Sequence, residues 1–230
     1  MIDYDRRQPL IANHVPKAAG TTVRKVFEGW FGKGLLLHYF DEQKGQMPRR
    51  YELDRLDTAN RPTVVYGHFN RLRGFGVQDY YPGVTQFVTI LRDPYDLMLS
   101  HFFFTRQAGS KWKYKTQVPD GSLADYLLAT SPNMLNHFPR PVTSANYKEV
   151  IDKYFVYIGF TEQLAQSLRQ MARKLGKQFD ERTLGRFNVT DRDEEVPDHL
   201  REKFIDKNEL EYAVYDYALR KFADSHEASE

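Results

Sequence analysis

Short apolar runs alternate along this chain with stretches in which apolar residues recur every three or four positions. That alternation predicts an α/β fold, with a central parallel sheet flanked by helices. Leu10 to Val15 reads as a buried strand, and beyond the loop PKAAGTT the positions Val23, Val26, Phe27, Trp30 and Phe31 recur at helical spacing. Leu35 to Tyr39 is a candidate second strand. Thr63 to Tyr66 and Gln86 to Leu91, rich in Val, Ile, Tyr and Phe, are stronger ones. Asp93 offers an N-cap and Pro94 a first helical position, opening a helix towards Arg106.

Phe155 to Gly159 is a further strand, after which Thr161 is expected to cap a helix. The apolar stripe of that helix is Leu164, Leu168, Met171, Ala172 and Leu175, and Gly176 ends it. The polar stretch Thr183 to Pro197 reads as a loop. A last helix, about Asn208 to Phe222, turns Leu210, Val214, Tyr217 and Ala218 inward, leaving Ser225 to Glu230 as a frayed tail. With no internal repeat and no linker, one domain is expected over residues 1–230, its ordered core at about 10–222.

Composition narrows the function classes. Of the 230 residues, 41% are apolar and 28% charged, which excludes both a membrane-protein and a disordered composition. The 33 basic and 31 acidic side chains leave a net charge of +2, so no global field draws in nucleic acid. An anionic ligand needs a local basic site instead. Cysteine is absent, which removes disulfides and thiolate chemistry. No secretory leader pattern and no apolar run of membrane-spanning length is present, so a soluble, cytoplasmic protein is expected.

Three segments carry candidate chemistry. His14-Val-Pro-Lys-Ala-Ala-Gly-Thr-Thr22 joins a strand to a helix, where backbone N–H groups and the positive end of the helix dipole can hold an anion. In it Lys17 adds charge, Ala19 and Gly20 form a small turn with Gly20 permitting close backbone approach, and Thr21 and Thr22 add hydroxyls. The lysine precedes the glycine, so this is not a Walker A loop. An ordinary turn with capping threonines is the plain alternative. In Ile90-Leu-Arg-Asp-Pro-Tyr-Asp-Leu-Met-Leu-Ser100, Arg92 ends a strand and Ser100 lies about two turns into the next helix, a phosphate clamp or else a salt-bridged surface arginine. Val65-Tyr-Gly-His68 ends another strand, where a histidine is either a general base or structural. Lys17, His68 and Arg92 thus share one address, the carboxyl edge of the sheet.

Together these segments resemble the PAPS-dependent sulfotransferases (PAPS is 3′-phosphoadenosine 5′-phosphosulfate), and within them the carbohydrate branch of heparan sulfate and uronosyl 2-O-sulfotransferases. PKAAGTT is similar to the family's 5′-phosphosulfate loop, RDPYDLMLS to its 3′-phosphate signature, and YGHF to the segment that carries the base. The similarity spans roughly residues 10 to 222. Tyr66 stands where the 2-O-sulfotransferases have a second histidine, and Asn188-Val-Thr190 where they have a basic late loop.

The resemblance implies a fold like that of P-loop nucleotide-binding proteins and in-line transfer to a hydroxyl acceptor, a glycan or small molecule, with no required metal. His68 would be the base and Lys17 the group that neutralises the departing phosphate oxygen. Lys17, Ala19, Gly20, Thr21 and Thr22 would hold the 5′-phosphosulfate, and Arg92 and Ser100 the 3′-phosphate. Thr190 and Arg192 are further cofactor candidates. His14 and His101, each beside a phosphate motif, are the alternative bases. Two other readings stay open: a P-loop-like small-molecule kinase, and a non-catalytic nucleotide-binding module. Lys111-Trp-Lys-Tyr-Lys115, if extended, sets three lysines on one face and two aromatic rings on the other. It is either an acceptor grip or a half-buried strand or lid.

Overall fold

The computed structural model describes residues 1–58, 60–108, 119, 121–184 and 198–227. Among them, five strands form one sheet: β1 (Leu10–His14), β2 (Leu35–His38), β3 (Val64–Gly67), β4 (Phe87–Leu91) and β5 (Phe155–Phe160). Every adjacent pair is parallel, in the order β2-β3-β1-β4-β5. The expected central parallel sheet is therefore present, and each expected strand falls within a residue or two of its place. β3, β4 and β5 are buried at every position, which is why their sequences read as unbroken apolar runs rather than as alternation.

Helices stand between successive strands except between β2 and β3, where the described residues form no helix beyond the 3-10 turn Leu53–Arg55. α1 (Gly20–Phe31) follows β1 and packs Phe27 against Tyr66 of β3, with ring centroids 5.5 Å apart. A four-residue helical turn, α2 (Val77–Tyr80), precedes β4, and α3 (Pro94–Ala108) follows it. Asp93 caps α3 as expected, its Oδ1 accepting the Asp96 N–H at 3.0 Å. α4 (Leu123–Ala129) and α5 (Tyr147–Tyr154) lead to β5. Then come α6 (Leu164–Lys174), α7 (Asp198–Lys207) and α8 (Glu209–Glu227). Phe160 of β5 meets Tyr215 and Phe222 of α8 edge-on.

Two details of the expected helices change. Thr161 does not cap α6; it opens a single 3-10 turn, Thr161–Gln163, and its buried hydroxyl has no hydrogen-bond partner. Ser167 of α6 instead ties the helix to the end of β5, its Oγ accepting from the Phe160 N–H at 2.8 Å and donating to the Phe160 carbonyl at 3.1 Å. At the other end Gly176 does stop α6, at φ 62°. Its N–H reaches the Arg173 carbonyl and that of Lys177 the Ala172 carbonyl, the paired bonds of a Schellman motif. The last helix runs past Phe222 to Glu227, so Ser225 to Glu227 are helical rather than a tail. No helix among the described residues is long and apolar enough to cross a membrane.

Candidate active site

The strand order decides where a site can form. From β1 the chain moves to the β3 side of the sheet, and only after β3 does it cross back to place β4 on the other side of β1. Loops leaving the carboxyl ends of β1 and β4 therefore diverge and leave a crevice between them, the switch point at which open parallel sheets bind ligands. The loop after β1 carries Lys17 and Ala19 and runs into Gly20, the first residue of α1, and the first residue after β4 is Arg92. The two loops are joined: the Arg92 guanidinium donates to the Lys17 carbonyl at 3.2 Å.

The turn itself is unusual. Lys17 and Ala19 both have positive φ, 66° and 55°, a left-handed conformation that side-chain-bearing residues seldom adopt. Ala19 is the N-cap of α1, and Gly20, Thr21 and Thr22 form its first turn, whose N–H groups have no preceding helical carbonyl to bond. The Lys17 ammonium lies 3.5 Å from the centroid of the Phe104 ring of α3. Burial, and after it the nearby Arg92, push the pKa of Lys17 down to about 8. Among the described residues no carboxylate pairs with it. The acid next in sequence to Arg92, Asp93, is committed to Arg201 at 2.8 Å. Ser100 is buried in α3, within two turns of its start.

His68 follows β3 directly. Its Nδ1 lies 2.7 Å from the carbonyl oxygen of His14. A carbonyl can only accept, so Nδ1 carries the hydrogen and Nε2 keeps the ring's lone pair. Burial lowers the pKa of His68 to about 4, keeping the ring neutral at pH 7. Two further histidine rings flank it: His14 stacks at 4.2 Å between centroids, and His137 stands edge-on at 6.1 Å. His137 belongs to the 3-10 turn Met134–His137, whose last carbonyl accepts from the Asn13 side-chain amide of β1. Nothing in the sequence around His137 singled it out; it lies in a short turn far along the chain. No group of three or more His, Asp or Glu among the described residues is arranged to hold a metal ion.

Two glycines are required by what packs against them. A Cβ at Gly20 would stand 1.5 Å from Nε2 of His14, so the space above this glycine holds an imidazole. A Cβ at Gly67 would stand 1.8 Å from the His38 carbonyl, so that glycine admits the end of β2. Of the sequence-derived candidates, Lys17, Ala19, Gly20, Thr21, Thr22, His68 and Arg92 lie in the segments that follow the carboxyl ends of β1, β3 and β4, and Ser100 lies nearly two turns into α3. His101 is on α3 facing Tyr126, its Nδ1 2.8 Å from the tyrosine hydroxyl. Thr190, Arg192 and Lys111–Lys115 fall outside the described residues.

No family model matches this chain, and no curated protein matches it. Among solved structures it is similar to mouse sulfotransferase SULT7A1 complexed with PAP, with 14% identity, a TM-score of 0.46, and coverage of 79% of this chain and 62% of that one. The chain therefore spans less than two thirds of the mouse protein. It is also similar to a sulfotransferase from Alicyclobacillus acidocaldarius, with 13% identity, a TM-score of 0.49, and coverage of 91% and 96%. Neither likeness is close enough to carry a residue's role across.

Proposed function

We propose that this protein transfers the sulfuryl group of PAPS to a hydroxyl acceptor, a carbohydrate or a small molecule, by direct displacement. The observation that carries the reading is the pairing of opposite needs at one sheet edge. His68 is held neutral with its lone pair on Nε2, and Lys17 is a desolvated cation with no carboxylate paired to it among the described residues. A site that only bound a nucleotide would need the cation and not the base.

In this scheme the acceptor oxygen forms its bond to sulfur as the bond from sulfur to the 5′-phosphate oxygen breaks. The acceptor's proton passes to Nε2 of His68, and Lys17 offsets the charge that grows on the departing oxygen. The N–H groups at the start of α1, with Thr21 and Thr22, hold the 5′-phosphate. Arg92 and Ser100 hold the 3′-phosphate, with Thr190 and Arg192 as further candidates. The products are a sulfate ester and 3′-phosphoadenosine 5′-phosphate (PAP).

The test has two arms. PAP should raise the melting temperature more than AMP, which lacks the 3′-phosphate, because a ligand of the folded state stabilises it by mass action. With labelled PAPS and a panel of hydroxyl acceptors, His68→Ala should still bind PAP but transfer sulfate ~10²–10⁴-fold more slowly, the range for loss of a general base. Equal shifts with PAP and AMP would remove the 3′-phosphate clamp. Full activity in His68→Ala, with loss of activity in His14→Ala or His101→Ala, would move the base.

A further inference from the structure

His14, the last residue of β1, touches both halves of the site. Its carbonyl accepts the Nδ1–H of His68, and its ring stacks on the His68 ring with an interplanar angle of 29°. Its own Nδ1 lies 3.0 Å from the Tyr39 hydroxyl, and its ring also stacks on Tyr66 at 5.7 Å. The far edge of the same ring fills the space a side chain at Gly20 would need, with Nε2, Cε1 and Cδ2 at 1.5, 2.0 and 2.2 Å from a Cβ built there. One imidazole is therefore wedged between the first residue of α1, where the phosphate turn ends, and His68. Tyr66 in turn donates to the Gly20 carbonyl at 2.8 Å, tying the same residue from a second side.

The wedge is uncharged. Burial first, then His68, His137 and Arg24, hold the pKa of His14 well below the ordinary histidine value. The charged and titratable groups around the pair come from several elements: Arg24 of α1, His38 of β2, Tyr39 and Glu42 beyond it, Arg73, and His137.

We propose that His14 is a positioning residue whose ring sets the separation between the phosphate turn and His68. The inference rests on the reading of His68 as the base. In-line transfer requires the acceptor oxygen to fit between the sulfur, placed by the turn, and Nε2 of His68. A misplacement of about 1 Å can cost ~10²-fold in rate. A ring in contact with both fixes that gap without touching either reactant. Such a residue acts on turnover and leaves donor affinity nearly unchanged.

The packing supplies its own test, a cycle of Gly20→Ala, His14→Ala and the double variant. Alone, Gly20→Ala drives a methyl into the imidazole and should lower both the melting temperature and PAP affinity. Beside His14→Ala the same methyl enters vacated space, so both should return towards wild type while turnover stays ~10²-fold low. His14→Phe keeps a stacked ring and should retain more turnover than His14→Ala. Nitrogen-15 NMR of His68 should show the Nδ1-protonated form in the wild type and a response to PAP that His14→Ala loses.

If Gly20→Ala is equally harmful with and without the imidazole, the wedge does not exist. Normal PAP binding together with wild-type turnover and an unchanged His68 signal in His14→Ala would overturn the role of His14 alone. A wild type that binds no PAP would overturn the sulfuryl-transfer reading, while the melting temperatures of the cycle would still report on the wedge.

Discussion

Burial pushes His68 and Lys17 towards their neutral forms, and the two shifts bracket the working range. His68 must be neutral to accept a proton and becomes so above about 4; Lys17 must be charged and begins to lose its proton near 8. The expected profile of kcat/KM, which reports the free enzyme, is flat between those values and falls on either side. An ordinary histidine would instead place the acid limb near 6.5. Once an anionic donor lies beside Lys17, its charged form is favoured, so the basic limb of kcat should move upward. Initial-rate measurements after a rapid pH jump check this. An acid limb that vanishes in His101→Ala and persists in His68→Ala would assign the base to His101.

Sequence spacing brought Lys17, His68 and Arg92 to one edge, because each follows a strand directly or within a short turn. It could not show what surrounds them. The imidazole over Gly20 comes from the other side of the turn, the carbonyl against Gly67 from a different strand, and His137 from a 3-10 turn with no periodicity of its own.

At the scale of an element, the glycines separate local from tertiary constraint. Gly29 lies inside α1 with open space where a Cβ would go. Gly29→Ala should therefore stabilise the protein by roughly 0.5–1 kcal/mol, the helix-propensity difference. Gly67→Ala would put a methyl 1.8 Å from the His38 carbonyl, backbone against backbone, where β2 and β3 pair. It should destabilise by at least the ~1–3 kcal/mol typical of overpacking. Urea denaturation of the two variants measures both, and a Gly67→Ala protein as stable as wild type would contradict the close approach.

The strands β3, β4 and β5 were legible because their burial on both faces writes continuous apolar runs. The helices α2, α4 and α5 were not, since each has eight residues or fewer and too few turns to display a period. Thr161 has the right residue type for a cap. Its hydroxyl is buried without a hydrogen-bond partner, so residue type alone did not make the cap.

For the whole molecule, the buried histidines set the response to acid. An unfolded histidine takes up its proton near pH 6.5. In the folded chain His38 and His68 stay neutral to about 4 and His137 to about 3. Between pH 6.5 and about 4 the unfolded state therefore holds more protons, and stability falls as the pH drops. Each group contributes up to about 1.4 kcal/mol per pH unit. The urea midpoint should decline steadily from pH 6.5 downward, before most carboxylates titrate, and the decline should shallow when His137 is replaced by an apolar residue. A midpoint constant down to pH 5 would show that these rings are solvated.

The position of β1 in the middle of the sheet has a consequence for synthesis. Of the five described strands it is the first to leave the ribosome, yet it hydrogen-bonds to β3 on one side and β4 on the other, whose residues begin at Val64 and Phe87. At ~5–20 residues per second, an apolar strand with two open edges waits on the order of several seconds for partners. The nascent chain is thus most exposed to chaperones, and to its neighbours on the same messenger, before the strand that will become its centre has anything to pair with.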